Sequence, residues 1–205
     1  MTQTVWIWFV TTLTTLAALI TLATLATLAA LPAQTDPAAT SAKGTEIAAA
    51  GFSVRATEGR ISILRGEQVV TVYRYGQGSR PVLYPLCGID GIERTRRWPI
   101  AEARPGEAKD HPHHRSVWFA HGDVNGHDVW AEGNGRGRVE QTELVRAAGV
   151  AGRAVIETRN RWVAANGEVV CTDRRCLQFA QVNAGLAVDF EVTVQASHGP
   201  VRFGD

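Results

Sequence analysis

"RAVIETRNRWVAANGEVVCTDRRCLQF", residues 153–179, reads as one long hairpin. Asn166-Gly167 sits near its middle, and Asn-Gly is the preferred pair for a tight turn because both residues tolerate positive φ. The next run repeats the period of two. Leu186, Val188, Phe190, Val192 and Val194 fall on one face, with Ala187, Asp189, Glu191 and Thr193 on the other. Such alternation belongs to a strand with one side buried and one side wet.

Working outward, the same pattern continues toward the N-terminus. Phe52 and Val54, Ile61 and Ile63, and Val70 and Val72 are alternating pairs, and Gly66-Glu67 makes a hairpin turn between the last two. Asn-Gly recurs at Asn125-Gly126 and Asn134-Gly135, each between strand-like runs where a hairpin is expected. No segment after residue 50 carries an apolar stripe of period 3.6. The expected fold is all-β, an antiparallel meander forming a β-sandwich. "HGPVRFGD" stops at Asp205 as a further strand begins at Val201, so the sandwich is expected to be incomplete at its C-terminal end.

The chain has 205 residues, 45% hydrophobic and 20% charged, enough for one domain with a sizeable core. Its formal charge of +1 supplies no field to hold nucleic acid or anionic lipid, so no nucleic-acid partner is expected. Arg94, Arg96 and Arg97 read as a solvated surface patch.

No charged residue precedes Asp36. Residues 5–33 run as Val, Trp, Leu, Ala, Thr and Ile, through "TLATLATLAAL", to the small-residue end Leu31-Pro32-Ala33. A cleaved export signal or a retained membrane anchor is expected over residues 1–33, with a flexible linker over 34–50 and the sandwich over 51–205. The protein is then exported, periplasmic or extracellular, and touches a membrane only through that segment. Cys87, Cys171 and Cys176 are an odd set. Cys171 and Cys176 lie an odd offset apart on one strand, which points their side chains to opposite faces, so no structural disulfide is expected.

Function is sought in "DHPHHRSVWFAHGDVNGHDVW", residues 110–130, which holds five of the six histidines. Pro112 forbids a helix and biases His111 toward an extended conformation, Asp123 to Gly126 is a turn, and Ser116 to Gly122 has room for one strand. On a regular strand His113, Arg115, Val117, Phe119 and His121 share one face while His114, Ser116, Trp118 and Ala120 share the other. The imidazoles meet only if the entry at His111-Pro112-His113 bends.

Two chemistries fit. In an acid/base site His113 or His121 transfers protons, Asp110 or Asp123 orients it, and Arg115 binds a substrate oxygen. His114 and Asn125 add polar contacts, and Trp118 or Trp130 stacks on a sugar ring or packs in the core. In a metal site His111, His113, His114 and His121 ligate a divalent transition ion such as zinc, copper or iron. A polar sheet edge without chemistry is the third reading. Ser116 lacks a nucleophile elbow, and "GNGRG" at 133–137 lacks the lysine and helix of a phosphate-binding loop.

The block Asp110-His111-Pro112-His113-His114-Arg115, with Trp118-Phe119, His121-Gly122 and Asp123-Val124-Asn125-Gly126, closely resembles the central block of a bacterial family of exported or surface proteins called PmoA-like, or methane oxygenase. "YPLCGIDG" (84–91) and "GPVRFGD" (199–205) resemble flanking blocks of that family. His127 stands where those relatives usually carry an apolar residue, and Cys171 and Cys176 are peculiar to this chain. The membrane methane monooxygenase subunit that lends the name has several spanning helices, whereas this chain has one hydrophobic stretch. The resemblance implies, by analogy of fold, a β-sandwich of the sugar-handling mutarotase type. The leading expectation is therefore a carbohydrate-active enzyme or sugar-binding protein. A metal-dependent oxygenase or hydrolase and a non-catalytic scaffold remain as alternatives.

Overall fold

A computed structural model describes residues 2–7, 51–150 and 152–204. Of the expected leader and linker, Thr2–Ile7 forms strand β1, and the remainder lies outside the described residues. The chain is all-β, with antiparallel sheets and no helix among the described residues. The strands after β1 are β2 (Ser53–Thr57), β3 (Arg60–Arg65), β4 (Gln68–Arg74), β5 (Val82–Leu86), β6 (Val117–Trp118), β7 (Asp123–Val124), β8 (His127–Asp128), β9 (Arg138–Val150), β10 (Arg153–Val163), β11 (Val169–Val182) and β12 (Gly185–Gln195).

They build a sheet in the order β1-β12-β11-β10-β9, a second in the order β2-β3-β4-β5-β6, and the small hairpin β7-β8. The long hairpin folds where Asn166-Gly167 predicts, pairing Trp162 with Cys171 and Ala154 with Phe179. Period-two burial then decides the core. Ala154, Ile156, Leu177, Phe179, Phe190 and Val192 from the first sheet meet Val54, Ile61, Ile63, Val70, Tyr73 and Leu83 from the second, with Phe52 just ahead of β2. Each large apolar side chain buried this way contributes on the order of 1.5–3 kcal/mol.

The pair Val70 and Val72 does not share an inward face. A bulge shifts the β3–β4 register after Ile63, so Val70 and Tyr73 point inward and Val72 is only partly buried. The Asn134-Gly135 hairpin is also corrected. That pair turns within the irregular link before β9, where Arg136 N–H donates to the Gly133 carbonyl. Asn125-Gly126 does close a hairpin, with φ of 54° and 83°. Val201 does not open a strand; Phe203 instead makes an isolated bridge to Val124.

Parity along β10 and β11 also turns polar side chains inward. Thr158, Asn160, Asp173 and Arg175 are buried. Asp173 accepts from Asn160 Nδ2 (2.5 Å), Trp162 Nε1 (2.7 Å) and Arg175 Nη2 (2.8 Å). Arg175 Nη2 also reaches the Phe119 carbonyl at 3.5 Å, tying the histidine-rich stretch to the core. Cys171 is buried and Cys176 partly so, and all three cysteines are free.

Candidate functional site

Between β5 and β6 the chain leaves the sheet for residues 87–116 without forming a strand or helix. Excursions of that length inside a small domain are uncommon and tend to carry function. Carboxylates hold this one together from within. Glu93 pairs with Arg97 (2.8 Å) and with Arg104, while Glu107 accepts the backbone N–H groups of Arg97 (2.6 Å) and Arg104 (3.0 Å).

Arg96 is not a solvated patch residue, which corrects the reading of the arginine cluster. Its guanidinium donates to the carbonyls of Asp110 (2.7 Å), His111 (2.7 Å), His114 (3.3 Å) and Ala108 (3.4 Å), and to Asp110 Oδ1 (2.8 Å). Gathering those carbonyls on one cation requires the chain to curl. His111 accordingly takes φ of 42°, not the extended conformation that Pro112 favours, and His114 N–H donates to the His111 carbonyl at 2.9 Å. A non-glycine residue held in the left-handed region costs about 1–3 kcal/mol and persists only where its surroundings impose it.

The curl brings three imidazoles together. His111 and His114 stack at 4.9 Å between ring centroids, and His113 meets His114 edge-on at 4.5 Å and His111 at 5.6 Å. One nitrogen from each lies within 4.8 Å of the others. His121 is not with them, so the four-histidine set divides. The regular strand from Ser116 to Gly122 is absent too: Ser116 has φ of 65°, and only Val117–Trp118 pairs with β5.

Beside the cluster, Trp118 and Trp130 pack with ring centroids 4.3 Å apart, and Trp130 is 39% exposed. The Trp130 ring lies 6.2 Å from that of His113 and 6.0 Å from that of His114. Arg80 supports the pair from beneath. It is buried, stands 4.6 Å over the Trp118 ring, and donates to the Trp130 carbonyl at 2.6 Å. Burial pushes the Arg80 guanidinium down to about 10, opposed by Glu132, so it stays charged at neutral pH. Arg115 pairs with Glu132 at 3.3 Å. Gly78, at φ of 77°, lies against the Arg115 guanidinium, where a Cβ would crowd Nη1 and the arginine would have to shift.

Asp110 stands 3.6 Å from His111 Nε2, and the hydrogen bond from Arg96 holds its carboxyl below the ordinary value. Burial first, then the neighbouring His113 and His111, hold His114 below the ordinary imidazole value, which favours a neutral ring at neutral pH.

The remaining candidates lie at a second place. His121 Nε2 is 2.6 Å from the Gly204 carbonyl, and its ring packs edge-on against Phe203 at 5.1 Å. Asp123 Oδ1 accepts the Gly126 N–H (2.6 Å), closing the turn. Asn125 accepts from Arg202 N–H (2.7 Å) and donates to the Pro200 carbonyl (3.0 Å). The "GPVRFG" segment is thus docked on the "HGDVNG" segment. A surface cavity of about 470 Å³ opens beside it, lined by Asn125, His127, Glu168 and His198.

Arg96, Arg80 and Glu132 support the candidate site and were missed in reading the sequence. Nothing in "RTRRW", "GQGSRP" or "WAEGNG" distinguishes them, because each acts on a segment remote in sequence. Asp173 and Arg175 did carry a signal: they share parity with Leu177 and Phe179 and so had to face inward.

Fold and site define an all-β sandwich protein with a tight imidazole cluster beside a partly exposed tryptophan pair. Within that class the chain belongs to a family of unknown function, DUF6807, whose model matches residues 60–205. No curated protein and no solved structure matches it.

Proposed function

We propose that this protein is exported and binds a carbohydrate at the surface built by His111, His113, His114, Trp118 and Trp130, acting on it by acid/base chemistry. One observation carries the reading: an exposed indole, braced from below, lies next to three imidazoles. An aromatic face buries the apolar C–H surface of a sugar ring, and polar groups at its rim meet the hydroxyls. His113 is the proton-transferring group of this reading. Asp110, fixed by Arg96, is the nearby carboxylate, and Arg115 serves the surface by pairing with Glu132. The charge-free N-terminal stretch supports export.

A screen of mono- and oligosaccharides by glycan array and thermal shift tests this reading. Trp130→Ala is expected to weaken the best ligand by about 1–2 kcal/mol, roughly tenfold, without unfolding the domain. A His113→Ala variant that keeps both binding and turnover removes the acid/base role. A full-length protein that shows neither sugar nor metal dependence returns the surface to a scaffold.

A further inference from the structure

We propose that His111, His113 and His114 form a binding site for one divalent transition-metal ion, with zinc the best match, and that Asp110 supplies the carboxylate beside it. Zinc takes imidazole nitrogens at about 2.0–2.1 Å in tetrahedral geometry, which places ligand nitrogens about 3.4 Å apart. The three rings already offer nitrogens within 4.8 Å of one another. On zinc binding the nitrogens would have to draw closer by about 1.4 Å, a distance on the scale of side-chain rotation.

Three further observations point the same way. Among the described residues, no ring nitrogen of the three makes a hydrogen bond, so their lone pairs are not committed elsewhere; His121 and His198 each have a partner, and His127, likewise without one, is not in the cluster. The backbone that carries the rings is held before any ion arrives, by Arg96 on four carbonyls and by the turn from His111 to His114. Asp110 lies 3.6 Å from His111 Nε2, just beyond hydrogen-bond distance, and on metal binding a small shift would let it accept from that ring and orient it. Three neutral nitrogens leave a fourth position open, the arrangement of a catalytic ion and not of a closed structural one. His111 is exposed and the Trp130 ring is adjacent, so that position is reachable by a ligand resting on the indole. The assignment uses the same surface as the sugar reading but does not depend on it; with zinc bound, His113 is a ligand, and the proton-transfer role proposed for it belongs to the metal-free reading.

The test uses the full chain purified without a histidine tag, stripped with chelator and titrated with zinc chloride by calorimetry. Cobalt(II) substitution serves as an optical readout of tetrahedral coordination. One zinc per chain is expected. Asp110→Asn is expected to weaken it by about 10–100-fold. His113→Ala and His111→Ala should each weaken it more than that, and His121→Ala should leave it unchanged. Circular dichroism verifies each fold, and His111, exposed at the loop surface, provides the variant least able to disturb folding. The proposal is overturned by a stripped protein that takes up no zinc, by His111→Ala and His113→Ala variants that bind as tightly as the parent, or by equal loss in His121→Ala. A parent chain that binds zinc but no sugar would remove the carbohydrate reading and leave this one standing; sugar binding by a chain that takes up no zinc would do the reverse.

Discussion

Residues 110–118 and residues 119–125 adjoin in sequence and are built from the same residue types, yet the fold uses them differently. In the first segment the rings of His111, His113 and His114 face one another without hydrogen-bonding partners among the described residues, and a remote arginine holds the backbone beneath them. In the second, every polar group named as a candidate is engaged with structure. His121 meets Gly204, Asp123 closes its own turn, and Asn125 clamps residues 200 and 202. Histidine density therefore does not mark a site. Uncommitted imidazoles on a fixed backbone do.

The largest expected effect lies beneath the second segment. Asp173→Ala leaves Arg175 buried without its counter-charge and loosens the contact to the Phe119 carbonyl, so it should cost about 3–5 kcal/mol in urea unfolding. A cost below about 1 kcal/mol would mean that the core does not anchor this stretch. Asp123→Ala removes a carboxylate from the exposed Gly126 N–H and should cost about 0.5–1.5 kcal/mol, leaving ligand binding at the first segment intact. If binding fell with stability, the two segments would not be separable.

Arg96→Ala should have the opposite profile. Its groups are partly exposed, so the loss of stability is expected to stay near 1 kcal/mol, while zinc affinity falls as the loop relaxes at His111. The smallest effect concerns Cys171, which lies in the cluster that packs Val124 and Val129 under the second segment. Burial, then the charge of Asp173, pushes its thiol from 9.0 up to about 12. The folded value exceeds the unfolded one, so the neutral thiol's contribution is full below pH 9 and declines as pH rises toward 12. Folded protein at pH 8 should resist iodoacetamide at Cys171; rapid alkylation there would contradict the packing.

Period two in "CTDRRCLQF" and in Leu186–Val194, with Asn-Gly at 166–167, is a local property of the chain, and it alone determined the all-β class and the inward faces of the long strands. The crowding of five histidines pointed to residues 110–130, and strand parity to the bend on which any meeting of imidazoles depends. Which histidines meet was settled only in three dimensions. It turns on the Arg96 guanidinium drawing in carbonyls from 108 to 114, and on residues 200 to 204 claiming His121 and Asn125. Parity reads a strand because each residue's direction follows from its neighbours. An irregular loop takes its shape from whatever hydrogen-bonds to it, and here those partners are distant in the chain.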